Sequence, residues 1–399
     1  MKILHTSDWH IGKQLYGNKR YQEFEEFLDW IVKIISDEEI DILLISGDIF
    51  DTTTPSNRAV EIYFNFLFKV AKAKVCKHIV ITAGNHDSPS FLEAPKEVLK
   101  FLNVYVVARV DNLEEEVLKL RVDDSEVIIC AVPYLRDRDL RDSEYGESVE
   151  TKEKKVIEAI KRHYQEVSKL AKQKQDKSQK IVAMGHMFVA GENTKIGDGV
   201  RELYVGSLGY VGADIFDKNF DYVALGHLHI PQSVGENEYI RYSGSPLAMG
   251  FNEAKQQKSI TILEIDKDIE IKTINVPKFQ ELEQIKGNLE KIEKRLKELI
   301  AKDISIWIEV VYESSEVAGN LTDIIDKILD GSKVEVLRVK NRTYNTRALQ
   351  KEDTTKSLED LDIYEVFDRC LDFNEVDEGQ RDELKALYKE MVIRVQEES

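Results

Sequence analysis

Five short apolar runs in this chain each climb through aliphatic residues and stop on a glycine or a polar cluster. That repeated ending constrains the fold more than any other feature. KILHTSDWH (2–10) ends at Asp8 and His10, and DILLISGD (41–48) at Gly47-Asp48. HIVITAGNHD (78–87) ends at Gly84-Asn85-His86-Asp87, KIVAMGH (180–186) at Gly185-His186, and YVALGHLH (222–229) at Gly226-His227-Leu228-His229. Runs this short and aliphatic, bounded by turn residues, read as strands buried on both faces. Helical periodicity lies between some of them: Phe24, Phe27, Leu28, Ile31, Ile34 and Ile35 share one stripe over 21–36, and Ile62, Phe66 and Val70 another within 57–73. Alternating strands and helices predict an α/β core.

In such a core the functional groups gather beyond the carboxyl ends of the strands. Here those ends deliver Asp8, His10, Asp48, Asn85, His186, His227 and His229. Seven oxygen and nitrogen donors are too many for one tetrahedral ion and suit two ions sharing a ligand. Asp48, with two carboxylate oxygens, is the expected bridge. The mixed donors, with no thiolate, suit manganese, iron or zinc.

In the rest of the chain, segment 104–133 predicts antiparallel strands, 151–176 a polar helix, and 239–243, 259–265 and 268–276 further strands. After Pro277 the residues Leu282, Ile285, Leu289, Ile292, Leu296 and Leu299 form a heptad-like stripe, too short for a convincing coiled coil and read as a helix laid on a small sheet. Strands at 304–312 and 333–340 flank another helix near 319–330. The expected division is a catalytic domain over 1–276, a capping β/α domain over 277–342, a polar linker over 343–357 and a helical hairpin over 358–399.

The formal net charge of −18 alone does not exclude nucleic acid, because residues 351–399 carry sixteen acidic and seven basic side chains. The catalytic part is therefore less acidic than the average suggests, and bound cations would add positive charge there. Three cysteines, Cys76, Cys130 and Cys370, stand far apart without CxxC spacing and argue against a disulfide framework or structural zinc. With no signal-like N-terminus and no apolar run approaching a membrane span, the expectation is a cytoplasmic protein that does not meet a membrane.

The set Asp8-x-His10, Gly47-Asp48-x-x-Asp51, Gly84-Asn85-His86-Asp87, Gly185-His186 and Gly226-His227-x-His229 resembles the signature of the calcineurin-like metallophosphoesterases. The opening HTSDWHIGKQLYG and the order of later segments resemble the nuclease subunits of bacterial DNA-processing complexes within that superfamily. The resemblance implies a β-sandwich flanked by helices, and two divalent ions, manganese by preference. Asp8, His10, Asp48 and His229 would hold one ion, and Asp48, Asn85, His186 and His227 the other. His86 would serve as general acid or phosphate contact, with Asp87 orienting its ring. Archaeal and eukaryotic relatives carry histidine where this chain has Asp51, so Asp51 reads as an acceptor behind the ligands. The implied activity is cleavage of double-strand ends and hairpin DNA. The implied partners are an ATPase subunit docked on the C-terminal hairpin and a second copy of the chain within a heterotetramer.

Several residues have two readings. Trp9 could stack on a base or pack beneath the site, and Lys13, Tyr16, Lys19 and Arg20 could meet DNA phosphates or line a solvated loop. His5 reads as a core or supporting residue, and His78 and His163 as structural. On the same fold, a small-molecule phosphodiesterase or nucleotidase is the alternative activity, and a non-catalytic scaffold a third.

Overall fold

The computed structural model describes residues 1–136, 149–176, 179–190, 211–314 and 321–341, with positions 139, 367, 371, 381, 384, 385 and 388 besides. The chain divides by internal contacts into a first unit, Met1–Glu283, and a second beginning at Gln284.

Two six-stranded sheets form the first unit. The first sheet contains β1 (Lys2–Thr6), β2 (Ile42–Ser46), β3 (His78–Thr82) and β4 (Val104–Val107). The second contains β5 (Val117–Val122), β6 (Ser125–Ala131), β7 (Ile181–His186), β8 (Tyr222–Gly226), β9 (Gln232–Val234) and β10 (Asn237–Tyr242). The chain then returns to the first sheet through β11 (Ser259–Ile265) and β12 (Ile269–Asn275), giving the orders β12-β11-β1-β2-β3-β4 and β9-β10-β8-β7-β6-β5.

Strand alternation sorts the side chains into layers. Ile3, Ile42, Leu44 and Val80 face Ile129, Val182, Met184 and Ala224 across the sandwich. Their neighbours Leu4, Leu43, Ile45 and Ile79 point outward onto helices α1 (Tyr21–Asp37) and α2 (Asn57–Ala73). On the other side Ile128, Cys130, Ile181 and Ala183 pack against the long helix Val149–Lys174 through Val156, Ile160, Tyr164 and Val167. This is the expected helix-flanked sandwich. Buried on both faces, the central strands cannot alternate apolar with polar residues, which is why they read as continuous aliphatic runs.

Two sequence expectations need correction. Val104–Val107 pairs in parallel with β3, not antiparallel with β5; only β5 and β6 of this segment form an antiparallel pair. Short helices Pro89–Glu93 and Lys96–Lys100 supply the crossover that a parallel pair requires, and their brevity hid them. The heptad-like stripe is also split. Leu282 and Ile285 lie in strand β13 (Glu281–Gly287), and the helix runs only from Leu289 to Ile300. Gly287 interrupts the chain, and the Asn288 side chain accepts from the Lys291 amide to begin the helix.

The second unit is a three-stranded sheet of β13, β14 (Ile306–Tyr312) and β15 (Val334–Asn341) with helices Leu289–Ile300 and Leu321–Leu329. Its core includes Ile292, Leu296, Ile308, Val310 and Ile325. The sequence reading begins the second domain at residue 277, and by internal contacts the second unit begins at Gln284. The expected linker and the helical hairpin over 358–399 lie outside the described residues, apart from the few isolated positions. Among the described residues no helix is long and apolar enough to cross a membrane.

Candidate metal centre

The carboxyl ends of β1, β2 and β3 from one sheet meet those of β7 and β8 from the other. The loops after β1 and β2 extend their pairing: the Asp8 amide donates to the Gly47 carbonyl at 3.1 Å, and the His10 amide to the Asp48 carbonyl at 2.9 Å. Asp8, His10, Asp48 and His227 all adopt positive φ, between 49° and 104°, a costly conformation for side-chain-bearing residues. Glycine is required where the two sheets approach. A Cβ on Gly47, itself at φ 80°, would lie 2.2 Å from His186 Nδ1, and one on Gly226 would lie 1.9 Å from the Ser46 carbonyl oxygen.

These turns bring all seven candidate donors together. Asp48 Oδ2 lies 3.5 Å from His10 Nε2 and 3.3 Å from His186 Nε2. His10 Nε2 is 3.2 Å from His229 Nε2. Asn85 Oδ1 lies 3.0 Å from His186 Nε2 and 3.2 Å from His227 Nδ1. Asp8 accepts from the Ser7 hydroxyl at 2.5 Å and the His227 amide at 2.8 Å. Three overlapping groups, Asp8-His10-His229, His10-Asp48-His86 and Asp8-Asp48-His186, each keep their donor atoms within 4.8 Å of one another.

The hydrogen bonding shows why a cation fits. His186 Nδ1 donates to the Ser46 carbonyl at 2.9 Å, so in the neutral ring Nε2 is a lone pair. That lone pair faces two further acceptors, Asn85 Oδ1 and Asp48 Oδ2. Three acceptors converging in a buried space need a positive charge between them. Without a metal, a proton takes that place. Burial alone would push His186 down, but the Asp48 carboxylate, with Asp8 behind it, raises it to about 9. Burial and the charge on His186 push His227 down to about 3.

Residues 1–231 match the family model described as Calcineurin-like phosphoesterase, and residues 278–375 match one described as Type 5 capsule protein repressor C-terminal domain. Over 393 residues the chain is 31% identical to the SbcD component of the SbcCD nuclease of Escherichia coli K12, covering 97% of each protein. The chain belongs to the SbcD family of calcineurin-like phosphoesterases. The SbcD proteins of Rhodobacter capsulatus and Bacillus subtilis are 33% and 32% identical, each alignment covering 66% of both chains.

Within this SbcD-family site, several expected roles change. Asp87 does not hold the His86 ring. Its buried carboxylate accepts from the amides of Gly84, Ile49 and Phe50 at 2.9–3.1 Å, clipping the loop after β2 to the loop after β3. Burial and the charge on Asp48 raise its carboxyl to about 6 despite those three bonds. The His86 ring is instead held by the Asp51 backbone, Nδ1 donating to its carbonyl at 2.9 Å. The Asp51 side chain lies 3.4 Å from His10 Nδ1 and 2.9 Å from Lys13 Nζ, behind a ligand candidate.

Arg20 is buried, not available to phosphate; it makes a two-pronged pair with Glu23 at 2.7 and 2.9 Å and donates to the Ala248 carbonyl. Trp9 is fully buried between Phe27 and Phe66, which settles it as packing. Tyr16 stays 45% exposed, stacked on Phe251, and Lys19 is exposed. Lys13, Tyr16, Asp51 and His86 line a cavity of about 670 Å³ beside the cluster. His5 is a core residue, accepting from the Tyr222 hydroxyl and donating to the Leu225 carbonyl. His163 pairs with buried Glu116 at 2.7 Å, and His78 donates to the Arg121 carbonyl.

Two charged residues lie beyond what the sequence signals. Glu253 and Lys258 are buried behind His229, in a segment whose sequence shows no periodicity or motif to mark them.

Proposed function

We propose that the chain is a metal-dependent DNA nuclease that hydrolyses phosphodiesters at double-strand ends and hairpins, with two divalent ions, manganese by preference. One ion would be held by Asp8, His10, Asp48 and His229, and the other by Asp48, Asn85, His186 and His227. The observation that carries this reading is Asp48 Oδ2 standing between His10 Nε2 and His186 Nε2 at 3.5 and 3.3 Å, as a bridging ligand should.

When bound, such ions acidify water and clamp attacking and leaving oxygens. The chain's own residues supply position and protons. His86 is half-buried with Nδ1 donating to the Asp51 carbonyl, and as an imidazolium it would donate from Nε2 to a phosphate or leaving oxygen. Asp51 fixes the His10 ring and restrains Lys13, and Asp87 keeps the two loops in register. These are positioning roles.

The partner would be SbcC, the ATPase implied by the family resemblance, and its site the helical hairpin expected over 358–399. A second copy would complete a heterotetramer. Ile62, Phe66 and Val70 face the chain's own core, and the opposite side of α2 exposes Phe64 and Phe68, at 36% and 62%, as the surface for a second copy. The expected compartment is the cytoplasm, consistent with free Cys76 and Cys130.

The test is purified protein with manganese, assayed on hairpin DNA and on a small chromogenic phosphodiester. DNA cleavage is expected, with or without turnover of the small ester. Turnover of the ester with intact DNA would favour the small-molecule phosphodiesterase. In the same assay Asp48→Asn should abolish both activities and lose bound metal; two retained ions with normal turnover would remove Asp48 as the bridge.

A further inference from the structure

Behind His229 the protein has built a buried ionic device. Glu253 is 0% exposed and Lys258 5% exposed, and they pair at 2.7 Å. Lys258 Nζ also donates to the His229 carbonyl at 2.9 Å and to the Ser245 hydroxyl at 3.2 Å. Glu253 Oε2 further accepts from the Met249 amide at 2.9 Å. The other oxygen, Oε1, has no hydrogen-bond partner, and neither has His229 Nδ1; these two buried atoms lie 3.6 Å apart. A pair of charges this deep is costly to bury, so a role other than stability is to be sought.

The geometry points to Glu253 as the positioning residue of His229, with Lys258 anchoring both the carboxylate and the His229 backbone. A carboxylate facing Nδ1 selects the tautomer that carries hydrogen there, leaving Nε2 as a lone pair. Asp51 does the same for His10 from its own side, at 3.4 Å. Both Nε2 atoms are then lone pairs facing each other at 3.2 Å, an arrangement that only a cation between them resolves. Glu253 thereby serves one metal site and not the other, because His186 takes its tautomer from the Ser46 carbonyl. The inference rests on the metal-centre reading and names a residue that the ligand motifs do not contain.

Glu253→Gln preserves shape and removes the charge. Its amide can keep an acceptor toward Lys258 and Met249 while turning a donor toward His229 Nδ1, which selects the wrong tautomer. Titrating the metal-free full chain with Mn²⁺ should then show one site unchanged and the other weakened about 10–100-fold, the usual scale for partners behind a metal-bound histidine. Glu253→Asp should recover part of the loss. Unchanged affinity at both sites would overturn the inference, as would equal weakening of both sites with a lower melting temperature, which marks a purely structural role. A second measurement needs no variant: long-range ¹H–¹⁵N spectra of the metal-free wild type, with His229→Asn for assignment, should show the Nδ1–H tautomer. An Nε2–H tautomer would refute the inference. Wild type that binds fewer than two ions would refute the two-ion reading instead, and the tautomer would still decide the role of Glu253.

Discussion

His86 and His186 separate proton chemistry from ligand chemistry at the level of single side chains. His86 is held by a backbone carbonyl and borders the open cavity, whereas His186 is fully buried among acceptors. His86→Asn should keep both metals and DNA binding but cut DNA roughly 10²–10⁴-fold more slowly, the usual range for a general acid. Metal content measured beside single-turnover rates checks this; loss of metal in step with rate would make His86 a ligand, as its place near His10 and Asp48 permits. His186 predicts a pH dependence. Its metal-free pKa is raised to about 9, so near neutrality a proton occupies the place of the cation and must leave on binding. Mn²⁺ affinity should therefore rise with pH up to about 9, and calorimetry in buffers of different ionisation enthalpy should detect proton release below that pH. No release at pH 7 would show that His186 is already neutral in the metal-free chain and that Asp48 does not raise it.

Among the elements, what matters most is how strand ends become loops. Four residues of the cluster sit at positive φ, each costing on the order of 1–3 kcal/mol, and they persist because the loops bond to one another. The Asp8 and His10 amides continue the β1–β2 ladder beyond the strands, and Asp87 clips the third loop to the second. Gly226 lies where β8 touches β2, and an added Cβ would collide with the Ser46 carbonyl at 1.9 Å. Gly226→Ala should cost about 1–3 kcal/mol, as overpacking does, and should weaken metal binding by moving His186. Denaturant melts of the metal-free chain measure the first effect and metal titration the second; a neutral substitution would show that this approach can relax.

For the whole molecule, the layers determine which faces remain for partners. Helix α2 turns Ile62, Tyr63, Phe66 and Val70 inward and leaves Phe64 and Phe68 outside. Exposed aromatics one helical turn apart would seat the proposed contact between two copies. Phe68→Glu should shift the chain from dimer to monomer in light scattering while leaving turnover of a small phosphodiester within about two-fold, since α2 supplies none of the proposed ligands. A wild-type monomer, or a variant that remains dimeric, would place the copy-to-copy contact elsewhere or remove it.

The sequence by itself determined the central strands and the run of candidate donors at their ends, whereas the helix-flanked sandwich followed only from the family resemblance. Strands and donors depend on local chemistry: aliphatic runs form strands, and glycine followed by Asp, Asn or His permits the turn that exposes a ligand. It did not reveal that Asp8, His10, Asp48 and Asn85 come from one sheet while His186, His227 and His229 come from the other, because that meeting is made by the core packed between the sheets. Nor could it show that Arg20 is buried on Glu23, that Asp87 bonds to amides and not to His86, or that Glu253 and Lys258 stand behind His229. A charged residue has no local pattern that tells burial from exposure. Its partner is chosen by the tertiary approach of distant segments, and only the folded chain brings those segments together.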